Sequence, residues 1–206
     1  MRYVKWSFLA LIVLGTGLFL QYNLPRHDIV SIRGTDMQRI NVGWNGMFYA
    51  NRMRNAQGDL IGTDVRLVNT VRPNGKTRVF RNEDTGFWPP YFKFDSADLQ
   101  TKAQDFQSSA AAPRWVAVRY YGWRSGFFTI YPNATSIWVV SGPDARIIPW
   151  FNIIFFVLLA ALILWLWRLW RNFREARIDP LLDGIEDTAE DAKARGRGLW
   201  RRLTGR

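Results

Sequence analysis

Residues 147–170 read IIPWFNIIFFVLLAALILWLWRLW, with no charged side chain before Arg168. A run of this length and composition crosses the hydrocarbon core of a bilayer as a single helix. Arg168, Arg171, Arg174 and Arg177 follow at once. Basic residues next to a span stay on the cytoplasmic side. The stretch therefore predicts a membrane location and a direction of crossing, and it separates a long preceding segment from a short tail.

Working back to the start, Arg2 and Lys5 precede residues 6–25, which carry no charge. A charged start and an apolar run suit both a cleaved signal peptide and a retained signal anchor. Only Gly15-Thr16-Gly17 approaches a small-residue cleavage site, and it lies inside the apolar run, so the anchor is the reading adopted. Arg2 and Lys5 place the N-terminus in the cytoplasm, in agreement with the arginines after the second run. Trp6, Tyr22, Trp150, Trp165, Trp167 and Trp170 fall where amphipathic rings favour the membrane interface, as do Arg168 and Arg171.

These two runs predict a membrane protein of a definite plan. Residues 1–5 are a cytoplasmic N-terminus, 6–25 a first transmembrane helix, and 26–146 a periplasmic domain. Residues 147–170 are the second transmembrane helix and 171–206 a cytoplasmic tail. The fold class is two transmembrane helices flanking a mainly-β (α+β) extracytoplasmic domain.

Composition narrows the chemistry. The 206 residues include no cysteine and one histidine, His27, so thiolate chemistry is excluded and imidazole-based catalysis or metal binding has almost nothing to work with. No cofactor and no metal site are expected. The net charge is +11, but part of it is orientation signal and membrane-surface contact, and no long basic run occurs in the middle segment. Nucleic acid is not an expected partner.

Within residues 26–146, 27–33 and 37–42 pattern as two strands, 43–46 as a turn and 51–62 as a polar loop. Residues 64–81 (DVRLVNTVRPNGKTRVFR) are the clearest hairpin, because Asn74-Gly75 accepts the positive φ of a tight turn. Residues 95–109 predict the domain's one helix. Asp95 or Ser96 would cap it, Asp98 suits its first turn, and Leu99, Ala103 and Phe106 form one apolar stripe. Residues 115–121, 127–131 and 135–140 pattern as further strands. Asn133-Ala134-Thr135 matches a glycosylation sequon, a short pattern that occurs often by chance.

The densest local signal is residues 82–94, NEDTGFWPPYFKF. Two prolines preclude a ladder strand and favour an extended, exposed segment. Read as a ligand or partner site, this exposed aromatic and charged loop makes Arg81, Glu83, Asp84, Trp88, Tyr91 and Lys93 the candidate binding residues; the same composition equally suits a loop that lids the domain core or dips into headgroups. Glu83, Asp84 and Asp95 are the nearest set of carboxylates for acid–base work, although neighbours in an extended chain point apart. No nucleophile elbow, phosphate loop or metal spacing occurs. In the tail, Leu199, Trp200 and Leu203 lie among arginines, the pattern of a segment resting on anionic lipid.

The motifs RPNGK (72–76), RNEDTG (81–86), WPPYFKFDS (88–96) and IPWFNI (148–153) resemble those of DUF1523, a bacterial family of unknown function. The resemblance implies a bacterial membrane setting and assigns no activity or site residue. The expected function is an inner-membrane-anchored envelope interaction or accessory protein, in contact with the lipid bilayer and with another membrane or periplasmic protein. The alternatives are an enzyme acting on an envelope substrate through those carboxylates, or a small accessory subunit of a respiratory or photosynthetic complex.

Overall fold

The computed structural model describes residues 2–40, 46, 48–49, 53–54, 58, 60–86 and 89–180. The chain divides into two compact units, Met1–Asn152 and Ile153–Arg206. The first holds α1 (Arg2–Asn23), β1 (Arg26–Ile40), β2 (Met53–Arg54), β3 (Leu60–Val71), β4 (Thr77–Arg81), α2 (Ser96–Asp105), β5 (Trp115–Tyr121) and β6 (Asn133–Val139). Helix α3 (Trp150–Phe173) begins at its end and continues into the second unit, where a π-helical turn follows over Arg174–Ile178.

β1 decides how the sheet closes. Its first half pairs antiparallel with β5, from Arg26↔Tyr120 to Ser31↔Trp115. Its second half pairs antiparallel with β3, from Ser31↔Val71 to Ile40↔Thr63. The register shifts between Ile32 and Gly34, which makes Arg33 the extra residue of a bulge. A bulge bends a strand and increases its twist, which lets one strand serve two partners. Over the described residues, the two strands expected at 27–33 and 37–42 are thus one strand, Arg26–Ile40, with a bulge at Arg33.

β3 and β4 form the expected hairpin, closed by Arg72 N–H donating to Lys76 O (3.0 Å) and Gly75 N–H to Arg72 O (2.9 Å). Gly75 has φ +76°, which explains the glycine there. β6 pairs antiparallel with β5 and meets β4 in parallel at Arg81↔Asn133. The circuit β1–β3–β4–β6–β5–β1 is a five-stranded barrel. With α2 between its third and fourth strands, it has the connectivity of an OB-fold.

The barrel interior is apolar. Val30, Ile32, Val68, Phe80, Val116, Val118, Tyr120, Ala134 and Ile137 are buried there, joined by Leu99 and Ala103 of α2, with Phe106 packed alongside. The predicted helical stripe is thus the face that plugs the barrel. A second apolar cluster of Ile40, Tyr49, Val65 and Leu67 lies apart from it. Leu67 and Val65 alternate with Val68, so they point to the opposite face of β3.

Two expectations change. The strand expected at 127–131 does not form: residues 126–129 are a turn closed by the Ser125↔Ile130 bridge, because β5 pairs with β6 through Tyr121↔Asn133 and leaves the intervening residues only each other. Part of the expected 51–62 loop is strand, since Met53 and Arg54 pair with β3. The expected turn at 43–46 and the lipid-facing tail segment fall mostly outside the described residues.

α1 and the helix running from Trp150 to Ile178 are long and apolar enough to cross a membrane. Neither α1 nor α3 has a buried residue. Trp150, Trp165, Trp167 and Trp170 are all exposed on α3, as are Arg168 and Arg171. Arg171 pairs with Glu175 at 2.7 Å and lies over the Trp167 ring.

Candidate functional site

The candidate segment begins where β4 ends. Arg81 is the last residue of β4, alternating with the interior Phe80, so its side chain leaves the barrel on the outer wall. It is only 3% exposed there. Its backbone N–H donates to Pro132 O at 2.9 Å, and Nη1 donates to Phe48 O. The guanidinium lies over the Tyr49 ring, 5.0 Å from its centroid, and 3.2 Å from Oε2 of Glu83. Both side chains of this ion pair are almost fully excluded from solvent.

Past β4 the ladder ends, but the backbone of Glu83 is still paired. Asn133 supplies both bonds: its Oδ1 accepts from Glu83 N–H at 3.0 Å, and its Nδ2 donates to Glu83 O at 3.0 Å. One amide side chain thus extends the sheet by a residue. Nδ2 also donates to the Tyr121 hydroxyl. Asn133 is fully buried, so its sequon nitrogen is spent inside the fold.

Asn82, Asp84 and Lys93 tie this corner to α2. Asn82 Nδ2 donates to Ser96 O (2.7 Å) and Gln100 Oε1 (2.9 Å). Asp84 accepts from the Ser96 backbone N–H at 2.9 Å and from the Ser96 hydroxyl at 2.8 Å. The first helical N–H of α2 is thus satisfied from 12 residues away. Of the two expected caps, Asp95 makes no side-chain capping bond and Ser96 is the first residue of the helix. Lys93 Nζ donates to Asn82 Oδ1 and, at 3.3 Å, to Glu83 O. Burial lowers the Lys93 ammonium to a pKa of about 8, against the raising effect of Asp95, Asp84 and Glu83.

The loop between is pinched shut by Thr85 N–H donating to Lys93 O at 2.9 Å. Its prolines do form a turn, but the exposed-loop expectation holds only for part of it. Pro90, Phe92 and Phe94 are exposed, whereas Arg81, Glu83 and Lys93 are buried, Asp84 is half-buried, and Tyr91 is stacked on Tyr121 with rings 4.4 Å apart. The physical reason is the Arg81↔Asn133 pairing, which draws the start of the segment against β6. Trp88 lies outside the described residues.

The last turn of α1 completes the site. An α-helix leaves its final carbonyls without intrahelical donors. Here Gly122 N–H donates to Tyr22 O at 2.9 Å, and the Tyr91 hydroxyl donates to Asn23 O. The Tyr22 ring packs edge-on against Trp123 (5.2 Å) and Tyr121 (6.1 Å), and tilted against Phe48 (5.7 Å). Pro25 O accepts from Nδ2 of Asn152, a polar residue of the second apolar run, at 2.9 Å. Burial raises the hydroxyls of Tyr49 (to about 12), Tyr91 and Tyr121, so all three are neutral at physiological pH, where those of Tyr49 and Tyr91 donate.

Chemically this is a packed polar knot. Both Asp84 oxygens are engaged by Ser96, and Glu83 is held by Arg81. Among the described residues no group of three or more His, Cys, Asp or Glu could hold a metal ion. The structure brings Arg81, Glu83, Asp84, Tyr91 and Lys93 together with Tyr22, Tyr49, Tyr121 and Asn133, which local pattern does not place at this segment. A fully polar Asn at a strand start beside Pro132 was the one available signal.

The fold and the knot define a class: a small OB-like barrel, bonded at one end to the last turn of a long apolar helix and followed by a second such helix. The chain belongs to the family described as protein of unknown function (DUF1523), whose profile matches residues 1–174. A relative from Haemophilus influenzae (strain ATCC 51907 / DSM 11121 / KW20 / Rd), an uncharacterized protein, is 32% identical over 164 residues, covering 78% of this chain and 89% of the relative. No solved structure matches.

Proposed function

We propose that this is a bacterial inner-membrane protein whose two apolar helices span the bilayer, with both termini cytoplasmic and the barrel in the periplasm. The barrel serves as an envelope interaction or accessory module, binding a partner close to the membrane. The observation that carries the reading is the built-in end of α1. Tyr22 and Asn23 are paired through Gly122 and Tyr91, so removing the helix by cleavage would take out part of the domain's own packing. A retained anchor fits this better than a signal peptide does. A domain joined to its anchor without a linker reaches only partners in or near the same membrane.

On OB-folds that take oligonucleotides or oligosaccharides, ligand lies against the second and third barrel strands and the adjoining loops. Here Tyr22, Phe48 and Tyr49 occupy that wall, which favours a protein partner over a nucleic acid.

Two measurements on the full chain test the proposal. Single cysteines in this cysteine-free chain report topology: Lys76→Cys should react with an impermeant maleimide in intact cells, and Ala192→Cys only after lysis. The opposite pattern overturns the orientation. Purification in mild detergent should retain a stoichiometric partner that Trp88→Ala loses without a change in melting temperature. Purification of the wild-type chain alone overturns the interaction role.

A further inference from the structure

Two loops touch the last turn of α1, and both carry exposed phenylalanines. The β5–β6 loop places Trp123 on Tyr22 and then presents Phe127 (91% exposed) and Phe128 (53%). The loop at 86–94 bonds Tyr91 to Asn23 and presents Phe92 (57%) and Phe94 (73%). The topology sets their direction. β1 leaves the end of α1, β5 runs antiparallel to it, and Tyr120 lies opposite Arg26. The β5–β6 loop therefore leaves the barrel at the end from which α1 departs.

These exposed rings are held in place. The described residues contain two non-glycine positions with positive φ, Phe92 (+46°) and Thr129 (+51°), one in each loop. Such backbone is strained and persists only where the surroundings impose it. Thr129 is fixed by the Tyr49 hydroxyl donating to its carbonyl and by Ile130 N–H donating to Ser125 O at 2.9 Å. Neither 122–131 nor 86–94 contains an acid, and Arg124 adds an exposed cation beside the first aromatic pair. Aromatic rings with a basic residue and no carboxylate are the composition that favours the headgroup–acyl boundary of a bilayer.

We infer that the Phe127-Phe128 turn, seconded by Phe92 and Phe94, dips into the bilayer surface around the exit of α1 and seats the barrel against the membrane. This rests on the reading of α1 as a membrane anchor. The occupant is lipid, because the rings sit on loops joined to the last turn of an apolar helix that has no buried residue.

The absence of native cysteine permits a direct test on the full chain. Phe127→Cys, Leu11→Cys within α1 and Asp98→Cys on α2 would each carry an environment-sensitive NBD dye. The labelled chains are placed in nanodiscs of phosphatidylcholine and phosphatidylglycerol, and quenching by lipids spin-labelled just below the headgroup is measured. Position 127 should be quenched at least about half as strongly as Leu11, with position 98 unquenched. A response at 127 equal to that at 98, with Leu11 quenched, overturns lipid contact and leaves the anchor standing. No quenching at Leu11 overturns both. Because Phe127 is 91% exposed, its replacement leaves the packing intact.

Discussion

Inside the barrel, Val30, Ile32, Val68, Phe80, Val116 and Val118 form one apolar cluster, with the Arg78 guanidinium over the Phe80 ring. Where β4 ends and β6 begins, Arg81, Asn82, Glu83, Lys93 and Asn133 are buried to the same degree. The interior is held by burial of apolar area, which is non-directional and tolerant of substitution at similar volume. The knot is held by particular donors meeting particular acceptors in a dry place, where losing one partner costs far more than the pair contributes net. The difference teaches where specificity resides. The interior makes a barrel; the knot fixes how α1, α2 and the loops attach to it.

The largest effect should come from breaking the knot. Arg81→Met takes the guanidinium from buried Glu83 and should destabilise the protein by about 3–5 kcal/mol. Adding Glu83→Leu should recover most of this, since an apolar pair of similar volume often replaces a buried ion pair without loss. Chemical denaturation of the full chain in detergent measures both. A double variant no better than the single one would mean that Arg81 acts through Phe48 and Tyr49 instead.

The interior gives the next effect. Leu99→Ala removes the side chain with which α2 plugs the barrel and should cost roughly 2–4 kcal/mol. This loss should be insensitive to pH. A pH-dependent loss would mean that α2 is held chiefly by the Asn82–Asp84–Ser96 contacts.

Lys93 gives a smaller effect with a sign. Its pKa is lowered by burial from 10.5 to about 8 in the folded state. Between these values the unfolded chain binds more protons, so stability rises with pH across that window and the penalty for burying the charge is present below it. The gain is up to about 3 kcal/mol. Lys93→Met should lack this rise when melting is followed from pH 7 to 11. An unchanged slope would assign the rise to another group.

Much of the architecture was legible from local pattern. The two apolar runs, the Asn74-Gly75 hairpin, the Leu99–Ala103–Phe106 stripe and the strand at 115–121 each depend on residues within one or two turns of one another. The site was legible only as a list of residues. Arg81, Glu83 and Lys93 carry charge next to prolines and aromatics, a composition that ordinarily marks an exposed loop, and here they are buried. The turn at 127–131 misled in the same way, since aromatic and β-branched residues favour strands only where a partner strand exists.

The sequence by itself therefore determined that this chain carries two long apolar helices with a β-rich domain between them, because hydropathy and turn chemistry are local. Only the tertiary structure decided that β1 bends to close a barrel, that Asn133 extends the sheet to Glu83, and that Tyr22 belongs to the domain and not merely to the apolar run beside it. Those facts depend on residues brought together from tens of positions apart, Ser31 with Val71, Glu83 with Asn133 and Tyr22 with Tyr121. No local propensity encodes such contacts, because the free energy that rewards them appears only once the barrel has closed.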